Sequence, residues 1–328
     1  MQPPMELPEN PPGNRPEGPE ALAPATAPVR RRPGRPGRPG RPGRSSRSSR
    51  SRSLLGRLAR RPTLTAGGVL VALVLALALL SLVWTPYDPT HVDAARRLLP
   101  PGGEHLLGTD QFGRDVASRL MTGARTTVFV GIVAVGFAVV IGVPMGVAAG
   151  MSGGPLSALL MRVSDFLLAF PALLLAIMLA AVYGTSTLTA MVAIGIASAP
   201  GFARVARAAT LRVMAAEYVD AARLARRTRA AIAVRHVLPN IRDVVIVQAS
   251  VAFATAVLAE AALSYLGLGT PPPTPSWGRM LLDSQELLFD KPELCLWPGL
   301  AVAAAVLGLN LLGDGLRDRF DPTLEGVR

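Results

Sequence analysis

The segment from Glu217 to Asn240, EYVDAARLARRTRAAIAVRHVLPN, is charged and helix-compatible, although it lies between two strongly apolar stretches of the chain. Glu217 falls in the opening turn of a helix, where a carboxylate interacts favourably with the helix dipole. The small side chains of Ala221 and Ala222 would let another surface approach closely, and Pro239 is expected to stop the second helix of the segment. If the flanking stretches span a membrane, a short helix kept outside the bilayer is expected to be presented to a partner.

The composition places the chain in the membrane class, because 50% of its 328 residues are hydrophobic and only 17% are charged. This excludes an ordinary soluble enzyme. A net charge of +12 could suggest a nucleic-acid partner, but 14 of the 34 basic residues precede Pro62, in a segment without an aromatic residue to stack on a base. We therefore expect no nucleic-acid partner. The single cysteine, Cys295, excludes an intrachain disulfide and a cysteine metal cluster, and we expect neither a metal nor a cofactor.

Three regions follow from the distribution of residue types. Residues 1–62 form a tail rich in Arg, Pro, Gly and Ser, which has too few apolar residues to bury a core and is predicted to be disordered and cytoplasmic. Residues 63–104 are predicted to hold the first transmembrane helix and an outer loop. Residues 105–323 are predicted to form the remaining membrane core, including a cytoplasmic loop at 204–243. A cleaved signal peptide is disfavoured because the first apolar stretch is about 21 residues long and begins beyond residue 60.

Six apolar stretches are long enough to cross or nearly cross a bilayer. They are Leu64 to Trp84, Thr127 to Gly150, Val163 to Tyr183, Ser186 to Ala203, Val244 to Leu268, and Leu294 to Gly313. The fourth stretch gives the weakest signal, because it is short and Pro200 interrupts it. The predicted fold class is an all-α membrane protein with six transmembrane helices and a disordered N-terminal tail.

The basic residues also predict the orientation in the membrane. With the N-terminus inside, 27 of the Arg and Lys residues lie on the cytoplasmic side and seven lie outside, as the positive-inside rule requires. In the same arrangement Trp84, Tyr183, Tyr265 and Trp297 fall at the outer ends of spans, where aromatic side chains favour the interface. Both signals predict a multi-pass protein with both termini in the cytoplasm.

The charged segment resembles the EAA loop of the permease subunits of ABC importers, in which Glu-x-x-x-Ala-Ala is followed at a fixed distance by Leu-Pro. The positions that match are Glu217, Ala221, Ala222, Leu238 and Pro239. The resemblance implies a loop that couples the permease to an ATPase. The residues expected to form it are Glu217, Tyr218, Asp220, Ala221, Ala222, Arg226, His236, Leu238, Pro239 and Asn240. The glycine usually found ten residues into this loop is Arg226 here, so the turn between the two helices must be made in another way.

Three further segments resemble the peptide and nickel branch of these permeases. They are HLLGTDQFGRDVASR from His105 to Arg119, LAEAALSYLGLGTPPPTPSWG from Leu258 to Gly278, and NLLGDGLRDRFDP from Asn310 to Pro322. The resemblance implies the transmembrane domain of a type I ABC importer in the inner or plasma membrane of a bacterium. It also implies a heterodimer with a second permease subunit, two ABC ATPase subunits, an extracytoplasmic substrate-binding protein and contact with membrane lipid.

The function that the resemblance implies is ATP-driven import of dipeptides or oligopeptides by alternating access. Import of a nickel complex or another small solute is an alternative, and a membrane scaffold or receptor that recruits a cytoplasmic partner is an alternative without transport. An exporter is disfavoured by the import-type loop. The chain itself is not expected to be an enzyme, because its one lysine, Lys291, lies in a predicted outer loop and cannot belong to a phosphate-binding P-loop.

Two ionisable residues lie within predicted spans. Asp165 and Glu260 are costly in hydrocarbon and are expected to face the bundle interior, a partner or water. Glu260 could line the path of a cationic or amine-bearing substrate, or it could form a structural hydrogen bond or ion pair within the bundle. On the second span, Gly142, Gly146 and Gly150 recur every four residues and are expected to let another helix pack closely.

Overall fold

The computed structural model describes residues 62–320, which all belong to one compact unit. The predicted disordered tail lies outside the described residues except for Pro62, with which the first helix begins. Within the described range the regular structure is helical, and the one strand-like feature is an isolated bridge between Thr109 and Asp115. The prediction of an all-α membrane fold is confirmed.

Ten α-helices occur in the described part of the chain. They are α1 Pro62–Val83, α2 Val116–Ser152, α3 Gly154–Ala169, α4 Ala172–Tyr183, α5 Thr187–Met214, α6 Glu217–Leu224, α7 Arg229–Ile232, α8 Leu238–Tyr265, α9 Trp277–Ser284 and α10 Glu293–Phe320. A π-helical turn, Ala233–Val237, joins α7 to α8 without a break. Five of the described helical segments are long and apolar enough to cross a membrane, and the pair α3 and α4 makes a sixth if it counts as one bent span.

The third predicted span, Val163 to Tyr183, is not one straight helix. The structure ends α3 at Ala169 and begins α4 at Ala172, and the two helices meet at an angle of 85°. The break follows from Pro171, whose ring forces the preceding Phe170 into an extended conformation with ψ 127° and which has no N–H to continue the helical ladder. The segment therefore turns sharply where the hydropathy profile alone indicates continuity.

The close packing predicted for the glycines of the second span is confirmed between α2 and α5. A Cβ atom added at Gly142 or Gly146 would collide with the backbone carbonyls of Ala199 and Ala203, and one added at Gly150 would collide with the side chain of Thr210. Three successive turns of α2 thus lie against the backbone of α5. Small residues at such positions allow helices in a membrane to gain van der Waals contact over a long interface.

The fourth predicted span, Ser186 to Ala203, has a low hydropathy signal because it contains many small residues that pack against other helices. In the structure α5 runs from Thr187 to Met214, through Pro200, and half of its most apolar stretch is buried within the chain. The corresponding share for α1 is 22%. A helix surrounded by neighbouring helices needs small side chains more than it needs strong hydropathy, which explains the low signal.

Buried apolar residues form two clusters in the described part of the chain. The larger one, the main apolar core, lies among α2, α4, α5, α6 and α8. The second joins α1, α2, α8, α9 and α10 at the end of the bundle that carries Trp277. The indole ring of Trp277 is fully buried, and its Nε1 donates a hydrogen bond to the Leu120 carbonyl at 3.0 Å. Gly123 leaves the space that the ring occupies, since a Cβ there would lie 2.7 Å from Trp277 Cδ1. This contact fixes α9 against the first turns of α2.

Candidate functional site

The loop between α5 and α8 contains α6, which begins where the sequence predicts. Glu217 and Asp220 lie in its first turn, and the N-cap residue, Ala216, has no side chain that could accept a hydrogen bond from the helix. The two carboxylates therefore supply the negative charge that the N-terminus of the helix favours. Val219 and Ala222 face inward and belong to the main apolar core, so α6 is held against the ends of the membrane helices by these two side chains.

Arg226 makes the turn that ends α6. Its φ angle is +54°, in the left-handed region that glycine adopts most easily. The Arg226 N–H donates to the Arg223 carbonyl at 2.9 Å, and the Arg227 N–H donates to the Ala222 carbonyl at 3.1 Å. This pair of bonds is the Schellman motif, which commonly closes a helix around a left-handed residue. The chain therefore keeps the glycine-type turn with an arginine in it.

The expectation that Pro239 stops the second helix of the loop is wrong. Pro239 lies in the first turn of α8, and the helix continues through it from Arg229 to Tyr265. The turn immediately before it is π-helical, and the Leu238 N–H donates to the carbonyl of Ala233, five residues back. Proline has no N–H and is tolerated in a helix where no backbone hydrogen bond is lost. The wider π-helical turn before Pro239 provides such a position.

The structure places most of the predicted loop residues at the surface. Exposed are Glu217, Tyr218, Asp220, Ala221, Arg226, Leu238, Pro239 and Asn240, whereas His236 is half-buried and Ala222 is buried. Ala222 packs largely within its own chain and reaches the surface only at the wall of a recess, whereas Ala221 is exposed. Contact of either alanine with an ATPase stays a prediction.

Several of these residues meet around one recess. The rings of Tyr218 and His236 lie 6.0 Å apart between centroids, and the Asn240 side chain donates to the His236 carbonyl at 2.6 Å. The recess has a volume of about 490 Å³, and its lining also includes Arg227 and Arg235. We call α6 together with residues 225–237 the loop surface.

The loop surface carries features that the sequence pattern alone does not single out. Leu224 and Val234 are 86% and 66% exposed, although both are apolar. Four arginines on the loop surface form no ion pair or side-chain hydrogen bond with any described residue. They are Arg226, Arg227, Arg229 and Arg235. Exposed apolar side chains beside unpaired cations are suited to contact with another protein.

A group of charged residues at the N-terminal end of α2 and on α9 was not identified from the sequence. Arg114 Nη2 and Arg119 Nη2 donate to Asp283 Oδ2 at 2.9 and 3.1 Å, and Arg114 Nε donates to Asp110 Oδ2 at 2.7 Å. Arg279 Nε donates to Asp283 Oδ1 at 3.0 Å. We call these five residues the ionic cluster. It joins the segment before α2 to α9, across 164 residues of sequence between Arg119 and Asp283.

The motif that precedes α2, within the segment from His105 to Arg119, also has local structural roles. Asp115 caps α2, because its carboxylate accepts from the Ser118 N–H at 2.7 Å, and it also contacts His105 Nδ1 at 2.9 Å. Asp110 accepts from the Phe112 and Arg114 N–H groups, which holds a tight turn around Gly113 at φ +76°. Aspartate at a helix N-cap and glycine at positive φ are the residue types that these positions favour.

Glu260 and Asp165 have different environments. Glu260 is fully buried; its Oε1 accepts from the Ser264 hydroxyl at 2.7 Å and lies 3.4 Å from the Thr270 hydroxyl. Its Oε2 has no hydrogen-bond partner among the described residues. Asp165 on α3 forms an exposed ion pair with Arg204 on α5 at 2.7 Å. Glu260 thus ties the end of α8 to the loop that follows it, whereas Asp165 lies on the surface of the chain.

A family model of binding-protein-dependent transport system inner membrane components matches residues 142–326. This match includes the loop surface, α8 and α10. The residues that it covers therefore contain the whole segment whose resemblance to the EAA loop was noted above.

Curated relatives extend the likeness toward the N-terminus. A putative peptide transport system permease protein of Brucella suis is 41% identical over 269 residues, which cover 82% of this chain and 90% of that protein. A di/tripeptide transport system permease protein of Pseudomonas aeruginosa is 40% identical and covers 80% of this chain and 88% of its own. The nickel transport system permease protein of Escherichia coli is 34% identical, with 78% of this chain and 92% of that protein covered.

Among solved structures, a chain of the MetNI methionine ABC transporter in an inward facing conformation superposes with a TM-score of 0.53 at 18% sequence identity. The match covers 62% of this chain and 97% of that one, and it supports the type I importer fold predicted from the sequence. Fold, family model and relatives agree, and the chain belongs to the binding-protein-dependent transport system inner membrane components, the permease subunits of ABC importers.

Proposed function

We propose that this chain is the transmembrane permease of an ATP-driven importer of dipeptides or oligopeptides. The observation that carries the proposal is the loop surface, where a short helix is held by Val219 and Ala222 while apolar and basic side chains point away from the core. Such a surface would receive motion from an ATPase and transmit it through α5 and the continuous helix formed by α7 and α8. Alternating access would follow from that movement.

The proposed assembly contains a second permease subunit, two ABC ATPase subunits and an extracytoplasmic binding protein, in the inner or plasma membrane of a bacterium. Both termini would be cytoplasmic, as the distribution of Arg and Lys favours. The loop surface then faces the cytoplasm, where ATP is available. The segments that contain the ionic cluster face the opposite side, where a binding protein would dock.

Peptides are proposed as the substrate because relatives at about 40% identity are named as peptide or di/tripeptide permeases. A nickel complex is the second candidate, and the observation favouring it is the nickel permease at 34% identity. Ligand identification on the cognate binding protein decides between them. A bound di- or oligopeptide supports the first candidate, and a bound nickel complex without peptide supports the second.

The pathway roles predicted for Asp165 and Glu260 remain proposals. The buried hydrogen bonds of Glu260 favour a structural role, since its carboxylate contacts residues of its own chain. Asp165 and Arg204 lie exposed on α3 and α5, so they are free to face a second permease subunit or a water-filled path. Ion pairs at such places in a membrane protein mark either an interface or a route for polar solutes.

The coupling role is tested by a charge reversal at the start of α6. We expect Glu217→Lys to reduce co-purification of the ATPase subunits and uptake of labelled dipeptide, with normal membrane insertion, because a cation opposes the helix dipole and changes the charge of the docking face. Glu286→Lys is the matched control for ATPase co-purification, since Glu286 is exposed at the other end of the bundle, away from the loop surface. Normal ATPase association and uptake in the Glu217 variant would contradict the docking assignment. If the chain were a scaffold without transport, the unaltered protein would associate with the ATPase subunits but would take up no dipeptide.

A further inference from the structure

A groove on the flank of the bundle lies between α1 and α2, and residues of α8 and α10 form the wall of its inner part. Its inner part has a volume of about 260 Å³, and Thr127 is the one polar residue that lines it. Its other part, of about 570 Å³, lies near the end of α1, between Leu82 and Phe129. Val128 and Ile132 line both parts, so the two lie next to each other along α2, and we treat them as one groove.

The length of the groove corresponds to half of a bilayer. The residues of α1 that line it extend from Val71 to Leu82. Eleven residues of α-helix rise about 16 Å, and one leaflet contributes about 15 Å to a hydrocarbon core of about 30 Å. Trp84 follows directly after the end of α1 and is 55% exposed, as is typical of a residue at the level of the lipid headgroups.

Arg125 lies at the mouth of the groove, near this headgroup level. It is exposed, and within residues 62–320 its guanidinium forms no ion pair or hydrogen bond. An unpaired arginine on an apolar helix is stable where its charge can reach headgroups or an anion. The hydroxyl-bearing residues Thr187 and Thr274 line the same mouth and supply further polar groups.

We propose that this groove binds one acyl chain of an anionic phospholipid, whose phosphate lies against Arg125. The inner part would accept hydrocarbon, and the cation at the mouth would select the negative headgroup. Leu79, Phe129 and Ile132 are 63%, 57% and 58% exposed, so the groove is open along its length to a chain that enters from the side. An apolar helix of a partner would cover these side chains but would leave Arg125 unpaired.

The site is independent of whether the chain transports peptides, because it needs only insertion in a membrane. Its leaflet rests on the proposed orientation, which places Trp84 and Arg125 on the outer side. A lipid held between α1 and α2 would attach the first helix to the rest of the bundle at a place where direct protein contact is incomplete.

The first experiment measures lipids retained by the full-length protein, purified with its partner permease and titrated with phosphatidylglycerol in native mass spectrometry. We expect Arg125→Gln to weaken the tightest site about five-fold, the factor that corresponds to about 1 kcal/mol for a basic residue near anionic lipid. Arg162→Gln is the matched control, because Arg162 is also exposed and lies on α3, away from the groove. Equal binding by the two variants would overturn the proposal, and so would equal affinity of the unaltered protein for phosphatidylcholine.

The second experiment identifies the occupant directly and does not depend on the stability of an Arg125 variant. A photo-crosslinking amino acid at Ile132 in the assembled complex is expected to form an adduct with phospholipid. A crosslink to the second permease would show that the groove is a subunit interface, and the absence of any adduct would show that it is empty. Either result would overturn the lipid assignment, whether or not the complex transports peptide.

Discussion

The ionic cluster and the loop surface are both rich in charge, but they use it in opposite ways. In the ionic cluster, Arg119 and Asp283 are 3% and 11% exposed, and each contacts an opposite charge. On the loop surface, Arg227 and Arg235 are exposed and have no acidic partner among the described residues. A buried charge without a partner is strongly destabilising, whereas an exposed charge costs little and remains available to another protein.

The difference separates a region that fixes the fold from one that is open to a partner. The ionic cluster joins segments far apart in sequence, and each of its charged groups contacts an opposite charge of the same chain, although three arginines share two aspartates and Arg119 Nη1 has no hydrogen-bond partner among the described residues. The loop surface is held in place by apolar contacts of Val219, Ala222 and Val237, while its polar and basic groups face outward. Substitutions in the first region should therefore affect stability, and those in the second should affect association.

The largest effect is expected for Asp283→Asn in the ionic cluster. Loss of this carboxylate leaves Arg119 buried beside Arg114 with too little negative charge, and removing one partner of a buried pair costs about 3–5 kcal/mol. We expect a marked fall in the melting temperature of the purified protein and loss of a monodisperse peak in size-exclusion chromatography. Asp290→Asn is the control, because Asp290 is exposed. Similar stability of the two variants would show that the cluster does not support the fold.

A pair of adjacent alanines distinguishes the two kinds of effect within α6. Ala222→Trp overfills the core and is expected to lower the free energy of unfolding by about 1–3 kcal/mol or more. Ala221→Trp changes an exposed position, so stability should stay within about 0.5 kcal/mol of the unaltered protein. Its ATPase co-purification should nevertheless fall, because a large side chain would obstruct docking. Full ATPase association in Ala221→Trp would place the partner elsewhere.

The sequence predicted the helical membrane fold well, because the length and hydropathy of a span depend on local composition. The orientation that positive charge and aromatic placement favour stays a prediction. The sequence also located α6 and the packing of Gly142, Gly146 and Gly150 against α5. The hydropathy profile does not show the bend at Pro171, because the residues on both sides of it are apolar. Pro239 was misinterpreted because a π-helical turn, which accommodates it, has no clear sequence pattern.

The ionic cluster could not be predicted, for a different reason. Its partners are separated by up to 169 residues, as for Arg114 and Asp283, and their proximity depends on how α2 and α9 pack. The recess on the loop surface likewise depends on the approach of Tyr218 to His236 across the turn at Arg226. Motif spacing identified most of the residues of the loop but not which of them face inward.

A smaller effect is expected at Glu260. If the carboxylate is structural, Glu260→Gln keeps one oxygen for Ser264 and leaves its amide without an acceptor, at a cost of about 1–3 kcal/mol. Uptake of cationic, neutral and anionic peptides should then fall by the same factor, together with thermal stability. If Glu260 lines the pathway, uptake of cationic peptides should fall more than that of neutral ones. The ratio of the two uptake rates in membrane vesicles decides between these roles.

The smallest effect on stability is expected for a substitution at Arg226, in the turn that follows α6. Arg226→Gly removes a left-handed conformation that costs an ordinary residue about 1–2 kcal/mol, but it adds the greater chain entropy of glycine, worth about 0.5–1 kcal/mol. The net expectation is a stability gain of between about 0 and about 1.5 kcal/mol. Ala225→Gly is the control, because Ala225 has an ordinary φ of −72° and should lose about 0.5–1 kcal/mol.

Thermal unfolding of the two glycine variants should therefore shift in opposite directions, and a loss in both would contradict the left-handed turn at Arg226. The same pair also tests the contrast between fold and association. Arg226→Gly deletes one exposed cation from the loop surface, so its ATPase association should weaken while its stability rises. Unchanged association would mean that Arg226 serves only the turn, and that the partner's contacts are made by the other arginines around the recess.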